Sequence, residues 1–414
     1  MEPILPIKSS EIAINKYLPV ALLYFFFNSF LLPHGLLYTA ILTPVFIYWL
    51  FTYSYIKKIW WFFLFTVPFL AIHFLNGVET NFYFTSYAIL FTVFVFGLSF
   101  SLFLKKCTTL RSIFRYILII NFVFVCIACI AFFSASAREY FWSLSDISLG
   151  LQKFPRLRLL TYEPSYYALL MVPIAMYYYL KMLSGQLPDG NVIAVFITVP
   201  LLLAFSMGIL IALPLSIALL ILFHFRTFVA KKRIRQIIQL TLLAIVVTIV
   251  LLLLVYPDNP LFVRINNLFT GNDSSFRGRA IESYFLSWDV ASRKSLLFGV
   301  GPGQVKVLGL ELWQKFYNPE YTMEQVAIPC AVAETLAVYG LVGVFLRLGV
   351  EIYFFFKTRV YTNYYRFALF IFVFIYQFTG SYIYNIGEYV IWILAFSKVF
   401  EEFDKKNFLK RSRV

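Results

Sequence analysis

The residues of this chain that could do chemistry are arginines and carboxylates. Its three histidines, His34, His73 and His224, sit apart and form neither a metal-ligand spacing nor a nucleophile–histidine pair. No phosphate-binding Walker loop occurs either. In "RLRLLTYEPSYYALL", Arg156 and Arg158 stand two residues apart, and Glu163-Pro164 opens an apolar run. A second pair with the same spacing, Arg277 and Arg279, lies in "SSFRGRAIESYFLSW", with Arg293 following. A guanidinium is a planar, permanently charged fork that suits phosphate oxygens, and a helix start adds its own attraction for anions. Arginines gathered beside helix starts therefore fit a phosphate or diphosphate, with snorkelling to lipid headgroups as the plainer reading of any one of them.

Glu163 reads two ways. It is an N-terminal carboxylate ahead of a proline in a first helical turn, or it pairs with an arginine or accepts a proton from a hydroxyl. Glu334 falls about one turn into an apolar run, where a carboxylate is expensive and usually paired or functional. Tyr162, Tyr166 and Tyr167 suit either stacking on sugar rings or an interfacial aromatic belt. Gly299, Gly301 and Gly303 of "FGVGPGQV" permit positive φ and close backbone approach. No strand precedes them, so they are not a dinucleotide fingerprint. Cys126 and Cys129 at i,i+3, with Cys107 and Cys330, read as small buried hydrophobes and not as a disulfide framework.

The elements that position these groups are membrane helices. The 414 residues are 61% hydrophobic and 13% charged, with a mean hydropathy of +0.80, more apolar surface than one soluble core can use. Apolar windows of about 20 residues, each able to cross a bilayer core of about 30 Å, recur along the chain. They predict about twelve spans, at 17–31, 37–54, 60–77, 83–104, 112–133, 161–180, 191–204, 206–225, 236–256, 329–350, 366–382 and 386–400. The fold class expected is all-α, one transmembrane domain over 1–414, with no cleavable signal at its start.

The net charge of +15 gathers in short loops between apolar runs, which argues for membrane orientation and against nucleic acid. Cytoplasmic termini place those loops inside and leave 32–36, 78–82 and 383–385, without Lys or Arg, outside. Two outside segments break the pattern, 134–160 and the long 257–328, and they carry both arginine pairs. Within the long loop, 276–297 has the apolar spacing of an amphipathic helix, set either on the membrane or over the bundle. Glu282 and Asp289 on it read as solvated or locally paired.

This arrangement resembles the O-antigen polymerase and ligase superfamily, the Wzy-type polymerases in particular. A basic outer segment leading into "YEPSYYALL" is similar to that family's Glu-Pro-Ser/Asn helix start. "SSFRGRAIESYFLSW" followed by "SLLFGVGPGQ" is similar to its arginine, amphipathic helix and glycine turn. "AETLAVYGLVGVFLRL" is similar to the glutamate-and-glycine helix after the loop. The likeness covers roughly 150–350. Ligases of the superfamily carry a histidine in the long loop and this one has none, which favours a polymerase. The Ser-Arg that often follows the short seventh span is here Ser206-Met207.

The resemblance implies a helical glycosyltransferase of the GT-C type in the bacterial inner membrane, inverting and independent of metal or other cofactors. It would move a growing glycan from one undecaprenyl diphosphate onto the sugar of another lipid-linked repeat unit, as in O-antigen synthesis. Its partners would be those two substrates, the bilayer, a chain-length regulator and a flippase. Arg156, Arg158, Arg277 and Arg279 would clamp the diphosphate, Arg279 foremost, and Glu163 or Glu334 would orient an arginine or the acceptor hydroxyl. Tyr162, Tyr166 and Arg293 would contact substrate, and Gly299, Gly301 and Gly303 would shape the loop over the site. The alternatives are a ligase, or a lipid-linked oligosaccharide flippase, which should line a central cavity with charges deep in its helices.

Overall fold

The computed structural model describes residues 18–33, 36–107, 109–145, 154–187, 190–229, 260–270, 273, 277–317 and 319–410. The predicted span at 236–256 and His34 lie outside the described residues. Among the described residues, five helices are long and apolar enough to cross a membrane: Ile56–Leu75, Thr80–Lys106, Leu110–Ala131, Pro164–Ser184 and Ala331–Lys357. The chain is thus a predominantly helical, membrane-embedded protein. Other predicted spans are shorter apolar helices, at Thr43–Thr52, Gly190–Ala204, Met207–Phe223, Tyr364–Tyr376 and Ile386–Phe396. The first apolar run is helical only over Leu18–Phe25.

Pro164–Ser184 is the central helix. Its apolar window is 72% buried, against 17–39% for the other four long helices. Ile56–Leu75 is the opposite case and turns Trp60, Trp61, Leu64 and Phe65 outward, as a lipid-facing helix does. Cys126 and Cys129 are also exposed, so the expectation that they are buried fails: both point outward from Leu110–Ala131. All four cysteines are unpaired.

The strictly all-α expectation needs one correction. Trp142–Ser145 and Phe154–Leu157 form an antiparallel two-stranded hairpin, with Trp142 opposite Leu157 and Ser143 opposite Arg156. The alternation in "WSLS" buries Trp142, whose indole nitrogen donates to the Ala128 carbonyl at 2.8 Å. Four residues are too few to stand out among helical windows.

From Arg277, already helical, the predicted amphipathic helix passes through a π-turn, Gly278–Glu282, and continues as an α-helix over Ser283–Ser292. It packs over the bundle, burying Leu286, Val290 and Ala291 in a core shared with Ala333, Ala337 and Val338 of the Ala331–Lys357 helix.

That last helix is broken at Gly340, where φ is 67° and ψ is −167°. In an unbroken helix the amides of Leu341 and Val342 would bond to the carbonyls of Ala337 and Val338. Here the segment following the amphipathic helix takes all four groups. Val300 and Gly301 donate to Ala337 and Val338, and Leu341 and Val342 donate to Leu296 and Leu297, each at 3.0 Å. Unpaired backbone groups at membrane depth cost several kcal/mol each, so the break requires this partner.

The two backbones meet where neither has a side chain. A Cβ on Gly340 would come 2.3 Å from the Leu297 carbonyl, and one on Gly299 would come 2.4 Å from that of Val338. Gly340→Ala should therefore destabilise the protein by about 2–3 kcal/mol through strain and clash. Gly349, on the same helix, has open space around it, so Gly349→Ala should not lower stability. Melting temperatures in detergent check this; equal values for the two variants would contradict the stitched break.

Candidate active site

Glu163 is the N-cap residue of the central helix, in extended conformation at φ −146° and ψ 140°. Its carboxylate makes no capping bond; instead it accepts from the Ser165 hydroxyl and lies 3.8 Å from the Arg279 guanidinium. Glu163 thus holds the N-cap position its sequence context predicted, and its side chain also takes the second reading by pairing with an arginine. Arg279 reaches it from the π-turn, a local widening of helix geometry that often marks functional sites.

The pair faces a narrow polar niche lined also by Tyr162, Tyr166, Pro329, Tyr376, Ser381, Tyr382 and Asn385. Three helices begin at this niche. Glu163 precedes Pro164–Ser184, Pro329 lies just ahead of Ala331–Lys357, and Asn385 caps Ile386–Phe396. Converging helix N-termini add partial positive charge to that of Arg279, so the niche favours an anion. Burial opposes the charge on Arg279, but Tyr376, Glu163, Tyr382 and Asp273 outweigh it and hold the guanidinium above its usual pKa.

The niche itself has room for about one water-sized group, near 10 Å³. Across Tyr162 lies a groove of about 660 Å³ between residues 29–32, the short helix Ala135–Phe141 and Arg158–Tyr162. Arg158 lines this groove and donates to the Glu139 carbonyl at 2.6 Å. Its Nε is buried and has no partner among the described residues. Burial lowers the pKa of Arg158. Tyr162, stacked on Tyr166 with centroids 4.7 Å apart, is the partition between niche and groove.

The structure thus brings Arg279, Glu163, Tyr162 and Tyr166 together and puts Arg158 next door. Arg156, on the hairpin, donates to the Ala204 carbonyl at 3.1 Å and interacts electrostatically with Tyr376. Other expected site residues sit elsewhere. Arg277 turns away to pair with Glu282, which also accepts from Tyr317 at 2.7 Å. That buries Glu282 and makes it the locally paired residue, not the solvated one, of the two readings its sequence allowed. Arg293 bonds the Leu308 carbonyl and Glu311, beyond the niche. Glu334 stands behind the niche wall, accepting from the Ile383 amide at 2.7 Å. Gly299, Gly301 and Gly303 do not line the niche. Gly299 faces the break at Gly340, while Gly301 and Gly303 press on Tyr83 and the Phe82 carbonyl.

Sequence reasoning passed over the charged group around Arg347. This arginine bonds to Gln377 at 2.7 Å and Thr335 at 3.4 Å, and pairs with Glu351 and Glu388. Arg347 and Glu351 at i,i+4 inside an apolar run were the available signal. No family model matches the chain, and no curated protein resembles it significantly.

Inorganic diphosphate at about 100 times its dissociation constant should stabilise the wild-type protein by about 2.7 kcal/mol. Arg279→Met should abolish the shift in melting temperature and Arg277→Met should keep it. The same shift in both variants would show that the niche does not bind the anion.

Proposed function

We propose that this chain is a polysaccharide polymerase at the outer face of a bacterial inner membrane, with both termini cytoplasmic. It transfers a growing glycan from undecaprenyl diphosphate to a sugar hydroxyl of a second lipid-linked repeat unit. The observation that carries this reading is the half-buried Arg279–Glu163 pair at the meeting point of three helix N-termini. The niche has room for about one phosphate oxygen, so it joins an anion contact for the end of a leaving diphosphate to a carboxylate that can accept a hydroxyl proton. A groove large enough for a sugar phosphate adjoins it. The motif resemblance over roughly 150–350 supports the same class.

In this mechanism the acceptor hydroxyl oxygen attacks the anomeric carbon from the face opposite the diphosphate. The bond from that carbon to the phosphate oxygen breaks, and its electron pair leaves with the diphosphate. The hydroxyl proton passes to Glu163. Arg279 and the helix termini stabilise the departing charge without reorganising, which is the largest task in such a transfer. Arg158 holds the lipid-linked substrate in the groove, and Tyr162 separates the two substrates.

A flippase would line a central cavity with charges deep in its helices. The deep charges around Arg347 are instead spent on one another: each of its three nitrogens has a partner. The test is incubation of purified protein with one lipid-linked repeat unit in the presence of EDTA. A ladder of elongated products is expected, with elongation lowered about 100- to 1,000-fold by Arg279→Ala and about 100-fold or more by Glu163→Gln. Arg277→Ala and Arg293→Ala should keep the ladder. Unchanged elongation by folded Arg279→Ala protein would overturn the assignment.

A further inference from the structure

The niche owes much of its wall to one loop. Residues 377–385 join the helices Tyr364–Tyr376 and Ile386–Phe396, and supply Ser381, Tyr382 and Asn385. Tyr376, at the loop's threshold, is a further wall residue.

The broken helix supplies most of the backbone bonds that hold the loop, with Tyr389 of the next helix donating to the Ile383 carbonyl at 2.9 Å. Ala331 donates to the Gly380 carbonyl at 3.1 Å and Val332 to that of Gln377 at 3.2 Å. Glu334 accepts from Ile383. Tyr284 of the amphipathic helix donates to the Phe378 carbonyl at 3.0 Å. The contacts of Ala331, Val332 and Glu334 come from the half before the break. Arg347, from the half after it, grips both flanks at once, with Nε donating to the Gln377 side chain at 2.7 Å and Nη2 to Glu388 in the first turn of the next helix. Gln377 in turn donates to Glu351 at 2.7 Å, and Trp392 to Glu388 at 3.2 Å.

The third nitrogen explains why the break is needed. Nη1 of Arg347 reaches Thr335, twelve residues earlier on the same helix. A straight helix would separate those residues by about 18 Å along its axis, beyond the reach of an arginine. The break at Gly340 folds the two halves together, so that one guanidinium spans Thr335, Gln377 and Glu388.

From this geometry we infer that Arg347 is the positioning residue of the niche, fixing the 377–385 loop so that Ser381, Tyr382 and Asn385 face Arg279. The inference rests on the reading of the niche as a diphosphate site. The planar fork is what the role requires: lysine keeps the charge, but its three donors radiate from one nitrogen and cannot span acceptors set around three separate nitrogens. Charge balance and loop placement therefore separate in Arg347→Lys.

The experiment compares wild type, Arg347→Lys and Arg347→Met in detergent by melting temperature and by calorimetric titration with inorganic diphosphate. In parallel, Ser381→Cys is introduced into each, and modification of the new thiol by a charged methanethiosulfonate is followed by peptide mass. Arg347→Lys should melt close to wild type yet bind diphosphate at least about 10-fold more weakly. The thiol introduced by Ser381→Cys should react at least about 10-fold faster in that background, because the buried wall residue is released. Arg347→Met should show both changes together with a lower melting temperature.

Wild-type affinity and unchanged thiol reactivity in folded Arg347→Lys would overturn the inference. The labelling arm decides even without binding. If wild type takes up no diphosphate while the introduced thiol is released in Arg347→Lys, Arg347 keeps its positioning role and the diphosphate reading of the niche falls.

Discussion

The organisation of the site depends on a broken helix that cannot stand alone. At Gly340 two amides and two carbonyls of a membrane helix lose their helical partners, and residues 296–301 supply all four replacements. Such exposure is tolerable in a bilayer only where protein satisfies it. The loop segment and the helix are thus one unit, and the glycine turn is anchored in turn on the N-terminal helices. The imidazole of His73 bonds both the Phe298 carbonyl and the Tyr83 hydroxyl, and Gln304 bonds both backbone groups of Glu79. Bending at Gly340 brings Thr335 and Arg347 into contact, Arg347 holds the 377–385 loop, and the loop walls the niche. Backbone hydrogen bonding remote from Arg279 thereby sets the surroundings of its guanidinium.

The niche sets one guanidinium, one carboxylate and three helix N-termini around a small volume. The guanidinium of Arg279 is permanently charged, and the tyrosines and carboxylates around it offset its burial, while the helix N-termini add a field that reorganises little when an anion arrives. Glu163 is the counterweight. Left alone, a buried guanidinium would be costly; paired with Glu163, it stays 26% exposed toward the niche and open to a second anion. The arrangement suits a ligand that brings charge and leaves with more of it.

Much of this was legible in the sequence, and the rest was hidden for physical reasons. Arg279 and Glu163 stood out because charge is scarce in so apolar a chain, and Pro164 located the helix start. The amphipathic spacing after Arg279 located the helix but not its π-turn, since one extra residue in a turn leaves the apolar pattern almost unchanged. Arg277 was grouped with Arg279 in the clamp, though behind it, because spacing does not show which of two neighbours points inward; Glu282, five residues on, draws Arg277 away. The glycines signalled close approach correctly, but not its targets: Gly299 meets the break at Gly340, whereas Gly301 and Gly303 meet Tyr83 and Phe82, long-range contacts that no local pattern encodes. The Arg347 cluster lay within predicted spans, where a charge is costlier, and so more telling, than one at a loop.

The most direct measurement is a cryo-electron microscopy structure of the protein with an undecaprenyl-diphosphate-linked repeat unit bound. The account predicts the diphosphate within hydrogen-bonding distance of Arg279, the lipid-linked sugar in the groove beside Arg158, and Glu163 near a sugar hydroxyl. A diphosphate bound away from Arg279, with the niche closed and unchanged, would contradict it.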